Sequence, residues 1–257
     1  MNNIMKNDTY RLVKWKLLYC VLSMAAVVAV ILTTIVRQDI RLGISVFGNV
    51  IALRGFDDVI RMGIVYHNGL GVLIAVLLSV FIGQEYQWKT WQHKWITNQS
   101  RTHIYLSKII LSSAISVVMF LIFQIIVLLG SNQVGYLLTN DYIAMIISGI
   151  FIYASLGVVI CMLSMLVKNN IASVVISLAY VLFGETIASV VINISNFSES
   201  ASIVTGWLVR HSIYGMATVV SSALVTWSLV IKIALNSIII IFLSATIGAL
   251  CFRRYDL

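Results

Sequence analysis

Six apolar runs, each close to the length that crosses a bilayer, constrain this chain more than any motif in it. They fall at 17–36, 63–83, 106–130, 142–167, 171–192 and 229–252. About 20 apolar residues span the hydrocarbon core as a helix. In lipid each backbone N–H and C=O must be satisfied within its own segment, so runs of this kind are expected as α-helices. Residues 1–257 are therefore expected to form one transmembrane domain, an all-α integral membrane protein of six spans. Composition agrees: 60% hydrophobic and 10% charged residues, with a mean hydropathy of +1.01. A soluble domain averages about 25% charged. Lys14 and Lys16 precede a run too long for a signal core, with no small-residue cleavage site after it, so no cleaved signal is expected. Cys20, Cys161 and Cys251 sit in separate runs and read as small apolar residues, implying neither a disulfide framework nor a metal site. The chain has no proline, so any break in a span must rest on Gly, Ser or Asn.

Orientation follows from the basic residues of the loops. With the N-terminus cytoplasmic, the inner side holds Lys6, Arg11, Lys14, Lys16, Lys89, Lys94, Arg101, Lys108, Lys168, Arg253 and Arg254, eleven of the 17. The outer side holds Arg37, Arg41, Arg54, Arg61, Arg210 and Lys232. Both termini are then inside. The segment 193–228, broken by Ser, Gly, Arg210 and His211, lies outside and is expected as a re-entrant or interfacial pair of helices. A net charge of +8 suits anionic lipid and implies no nucleic acid.

The loop GQEYQWKTWQHKWITNQSR, residues 83–101, interrupts the apolar pattern. A helix drawn from Tyr86 to Ile96 places Trp88, Trp91 and Trp95 on one face, at spacings of three and four. Tryptophan is enriched at bilayer surfaces, so an interfacial aromatic belt accounts for this pattern. A docking helix, with aromatic anchors entering pockets on a cytoplasmic partner, accounts for it equally.

Glu85 ends the second span, Thr90 follows five residues on, then come Ser100-Arg101, and Lys108 opens the third span. In this order the chain resembles the ABC-2 family of exporter permeases. Lys89-Thr90 stands where that family has Gly-Thr, and Asn98 or Gln99 where it has Pro. The resemblance implies a bacterial cytoplasmic-membrane permease that works as a dimer, with itself or a similar permease. It also implies coupling through Glu85, Trp88, Thr90, Trp91, Ser100 and Arg101 to a separate ABC ATPase, which binds the ATP and Mg. Amphipathic peptides or antibiotics, exported or resisted, are the substrates it suggests. Separately, no G-x-x-x-x-G-K-[ST] phosphate loop occurs, so nucleotide is not expected on this chain by that route. Residues 168–170 and the basic stretch KNDTYRLVKWK would complete the docking surface.

Within the spans, Glu185 lies roughly 10 Å from the outer end of its helix at 1.5 Å per residue. An ionisable group at that depth marks a substrate path or a packing ion pair, and Lys232 enters the next span from the same side as the expected partner. Gln124 and Asn236 are weaker candidates, suited to hydrogen bonds between helices. Ser112 with Ser116, and Ser244 with Gly248, offer small faces that by themselves identify no interface. Catalysis is not expected: H-E-x-x-H and G-x-S-x-G are absent, and of the four histidines His93, His103 and His211 lie outside the apolar stretches and His67 near the start of one. An ion-coupled secondary transporter and a non-transporting immunity or sensor protein are the rival readings.

Overall fold

The computed structural model describes residues 2–38, 42–46, 49–53, 55–88, 90, 100–131, 135, 139–167, 169–195, 199–222 and 224–254. Helix α1 (Asn2–Lys14) precedes the first span, α2 (Lys16–Arg37). A hairpin follows, β1 (Leu42–Val46) against β2 (Asn49–Leu53), then α3 (Phe56–Ile64) and a 3-10 turn at Tyr66–Asn68. The remaining helices are α4 (Leu70–Gln87), α5 (Arg101–Ser131), α6 (Asn140–Leu166), α7 (Asn170–Ser195), α8 (Glu199–His211), α9 (Ile213–Ser222) and α10 (Trp227–Arg254). Six of these, α2, α4, α5, α6, α7 and α10, are long and apolar enough to span a membrane. The chain is a multi-pass, all-α membrane protein.

Two details differ from the sequence expectation. The second span begins at Leu70 and runs through Gln87, where 63–83 was expected. Gly69 has φ +141°, which breaks the apolar run after Asn68 because L-residues avoid that conformation. Residues from Phe56 to Ile64 instead form the short amphipathic helix α3, burying Val59, Ile60 and Ile64. Upstream of it, LGISV and NVIAL pair antiparallel with Ile44 opposite Ile51, as β-branched pairs favour. The expected helix pair between spans five and six is present as α8 and α9. Arg61 of α3 caps α9, donating from Nη1 to the Ser221 carbonyl at 2.9 Å, where the helix dipole favours a cation.

Burial is uneven. Protein encloses 67% of the α6 span but only 17% of α7, so α4 and α6 form the centre while α2, α7 and α10 present apolar faces outward. Lipid tails are as apolar as leucine, so close approach and hydroxyl bonding must hold the spans together. Both small faces seen in the sequence serve this end. A Cβ on Gly157 of α6 would collide with the Ser112 carbonyl and the Ser116 hydroxyl of α5. Gly248 of α10 leaves room for Tyr105, whose hydroxyl donates to the Ser244 carbonyl at 3.0 Å. Gln124, fully buried, donates from Nε2 to the Ile60 carbonyl at 3.0 Å and joins α5 to α3. Tyr153 donates to the Gly63 carbonyl at 2.6 Å and stacks on Phe120 at 4.7 Å. Ser164 reaches Ser79 at 3.2 Å, linking α6 to α4.

Gly157→Ile is expected to cost about 1–3 kcal/mol by overpacking, read as a lower thermal midpoint in detergent. Gly206 has nothing within 4 Å of where its Cβ would stand, so Gly206→Ala is expected to hold or raise the midpoint.

Candidate functional site

The chain's deepest charges lie where α4 ends and α5 begins. Glu85 is fully buried in the last turn of α4, and Lys108 is fully buried two turns into α5. Their side chains meet at 2.5 Å, from Lys108 Nζ to Glu85 Oε1. Helix α1 completes the cluster. Asp8 Oδ2 lies 3.0 Å from Lys108 Nζ, and Arg11 Nη1 lies 2.6 Å from Glu85 Oε1. Two cations and two anions thus balance. Arg11 also donates from Nη2 to the Phe81 carbonyl at 3.1 Å, and its guanidinium stands over the Phe81 ring at 4.3 Å. Lys108 Nζ lies 4.6 Å from the same ring. An aromatic face opposite two cations adds attraction where water is excluded.

The sequence of α1 accounts for its docking. Ile4, Asp8 and Leu12 recur every four residues, and all three are buried while Lys6, Asn7, Thr9, Tyr10, Val13 and Lys14 are exposed. One place on that stripe is an acid, Asp8, and Lys108 meets it. Asp8 and Arg11 were missed as candidates; the signal available was a carboxylate standing inside an apolar stripe.

The loop residues divide into internal and exposed groups. Glu85 lies wholly inside, so it anchors the loop and has no surface to offer a partner. Trp88 is 60% exposed and its N–H donates to the Gln84 carbonyl at 2.9 Å, closing α4. Tyr86 and Gln87, where the helix drawn from Tyr86 to Ile96 would begin, are the last residues of α4, and the Tyr86 hydroxyl ties them to α6 by donating to the Met165 carbonyl at 2.8 Å. Beyond Trp88 only Thr90, itself helical, is described before Ser100. Thr90 donates to the Glu85 carbonyl at 3.3 Å. Ser100 caps α5, accepting the His103 N–H at 3.4 Å, and Arg101 opens that helix, half-buried. Trp91 and Trp95 lie outside the described residues, as does Lys168. Asn170, two residues on, donates to Gln87 Oε1 at 3.2 Å, so the start of α7 sits beside the end of α4.

At the opposite end of the bundle the expected Glu185–Lys232 pair does not form. Glu185 Oε2 instead lies 4.0 Å from His67 Nε2. Lys232 and Asn236 line a separate cleft with Arg210 and His211. The turn at Tyr66–Asn68 brings His67 to α7, a contact between positions 118 residues apart that sequence spacing cannot reveal. Beside it, Tyr66, Tyr180, Gly184, Leu208 and Tyr214 line an aromatic cavity of about 280 Å³. Burial holds the His67 imidazole below its ordinary pKa, and the Glu185 charge opposes this more weakly. Burial also raises the Tyr66 phenol, with neighbouring tyrosines adding to it, and the Tyr214 phenol, helped by Glu185. These phenols are neutral donors at pH 7. Among the described residues no group of three or more His, Cys, Asp and Glu could hold a metal ion.

The fold defines a six-span membrane protein with an ion-paired, α1-capped end and an aromatic end. No family model and no curated protein matches the chain.

Lys108→Met takes the cation from Asp8 and leaves Glu85 with Arg11 alone, and is expected to cost about 3–5 kcal/mol, measured by thermal unfolding in detergent. Adding Glu85→Gln should cost less than the sum of the two single changes. For His67 the folded pKa lies below the unfolded one, so its contribution to stability is full above about pH 6.5. That contribution falls as pH drops below 6.5, because the unfolded chain takes up the proton first. His67→Gln is expected to flatten the loss of stability between about pH 7 and 5, as read from midpoints in matched buffers.

Proposed function

We propose that the chain is the membrane-spanning permease subunit of an ABC exporter. It moves an amphipathic substrate, a peptide or antibiotic-like compound, across the bacterial cytoplasmic membrane by alternating access. A separate ATPase subunit binds ATP and Mg. The observation that carries this reading is the ion quartet at the root of the loop between α4 and α5, in which Asp8, Glu85 and Lys108 are buried and Arg11 is part-exposed. A push on that loop reaches two spans and α1 together, since parting the quartet leaves a charge unmatched in low dielectric. Trp88 and Ser100 stand exposed at the two ends of the loop, with Thr90 and Arg101 beside them. In this reading Trp88, Trp91 and Arg101 meet the ATPase while Glu85 transmits. The outward faces of α7 and α10 meet lipid and a second permease copy.

An ion-coupled secondary transporter is the second reading. It is favoured by the Glu185–His67 pair beside an aromatic cavity.

Affinity purification of the tagged chain from its native membranes separates the two. The exporter reading expects an ABC ATPase subunit to co-purify. It also expects Trp88→Ala with Arg101→Glu to weaken the complex about tenfold or more while leaving the thermal midpoint unchanged. Wild-type chain that brings down no ATPase, and drives transport that an uncoupler abolishes, contradicts the exporter reading and supports the ion-coupled one.

A further inference from the structure

Arg210 and His211 at the end of α8, with Lys232, Ile233 and Asn236 near the start of α10, line a cleft of about 280 Å³. Arg210 and Lys232 have no ion-pair partner among the described residues. Helix α3, which packs on α9, carries Asp57 and Asp58 in its first turn, and neither lines the cleft. Helices α9 and α10 contain no Asp or Glu. The one acid of α8, Glu199, stands eleven residues before Arg210, about 16 Å along the helix. On α7, Glu185 is engaged at His67. The cleft is therefore cationic and aimed at an anion.

Its depth is marked by two indoles. Trp207, 58% exposed, precedes Arg210 by one turn, and Trp227, 50% exposed, precedes Lys232 by little more than one. Exposed tryptophans of this kind settle at the headgroup level. His211 is fixed to the first of them: Nδ1 donates to the Trp207 carbonyl at 2.8 Å and the ring stacks on the Trp207 indole at 4.4 Å. Farther along α10, Ile231, Leu235, Ile238 and Ile239 are exposed and apolar, a surface suited to an acyl chain.

We propose that this cleft is a headgroup site for an anionic phospholipid. The Arg210 guanidinium, the Lys232 ammonium and the Asn236 amide donate to phosphate oxygens. The acyl chain lies on the Ile231–Ile239 face, which a free phosphate has no use for. The site goes beyond the exporter reading and does not rest on it.

The test is native mass spectrometry of the full chain in detergent with equimolar phosphatidylglycerol and phosphatidylcholine. Wild type is expected to retain phosphatidylglycerol preferentially. R210Q/K232Q should lower that preference by about fivefold for each charge removed, while R210K/K232R should keep most of it. Both side chains are exposed, so the neutral variant is expected to fold with an unchanged thermal midpoint; the single variants R210Q and K232Q serve if it does not. A preference that survives in the neutral variants, or equal retention of the two lipids by wild type, overturns the proposal. Displacement of phosphatidylglycerol by millimolar inorganic phosphate also overturns it, by assigning the cleft to the free ion.

Discussion

A charge taken out of water must find its opposite, and in this protein that requirement fixes the end of the bundle where the chain starts. Placing a lone carboxylate or ammonium in a low-dielectric interior costs several kcal/mol even after relaxation. Glu85 and Lys108, both fully buried, satisfy each other, and Asp8 and Arg11 bring α1 in to balance the set. The amphipathic stripe of α1 gives it an apolar seat but no unique position along that seat. Asp8 against Lys108 supplies the position. Buried pairs add little net stability over a well-packed apolar core, so the quartet acts here chiefly to fix register.

The rest of the bundle is held by weaker and more numerous contacts. Serine hydroxyls and small residues let α4, α5, α6 and α10 approach closely, while tyrosine hydroxyls cross between helices to backbone carbonyls. The two ends then differ in kind. At the α1 end, the charges are matched, three of them enclosed and Arg11 part-exposed, at the root of the loop. At the other end, the aromatic cavity and the basic cleft lie open, with His67 and Glu185 only loosely paired. This difference between the two ends is what the exporter proposal builds on.

Much of this was legible in the sequence, because hydrophobic length is a local property. The spans near 17–36, 106–130, 142–167, 171–192 and 229–252 needed only a count of apolar residues. The start of the second span was not legible, since Gly69 ends the apolar run by its backbone angle and leaves hydropathy unchanged. Glu85, Ser100 and Lys108 were visible as markers of the loop, but their roles were not. Burial makes Glu85 an internal anchor, and the N-terminal position of Ser100 makes it a cap. The partner of Glu185 was misjudged because Lys232 enters the next span from the same side, while a turn at Tyr66–Asn68 delivers His67. The hairpin of Leu42–Val46 and Asn49–Leu53 went unread because an outer loop was expected there; the alternation of Leu42, Ile44 and Val46 was its signal.

The central claim is that the ion quartet holds α1, the end of α4 and the start of α5 as one body. Amide hydrogen exchange in nanodiscs, comparing wild type with Lys108→Met, tests it most directly. The account predicts that Asn2–Lys14 and the last turn of α4 lose protection in the variant while the centre of α6 keeps its own. If α1 stays as protected in the variant as in wild type, the quartet is not what holds that end together.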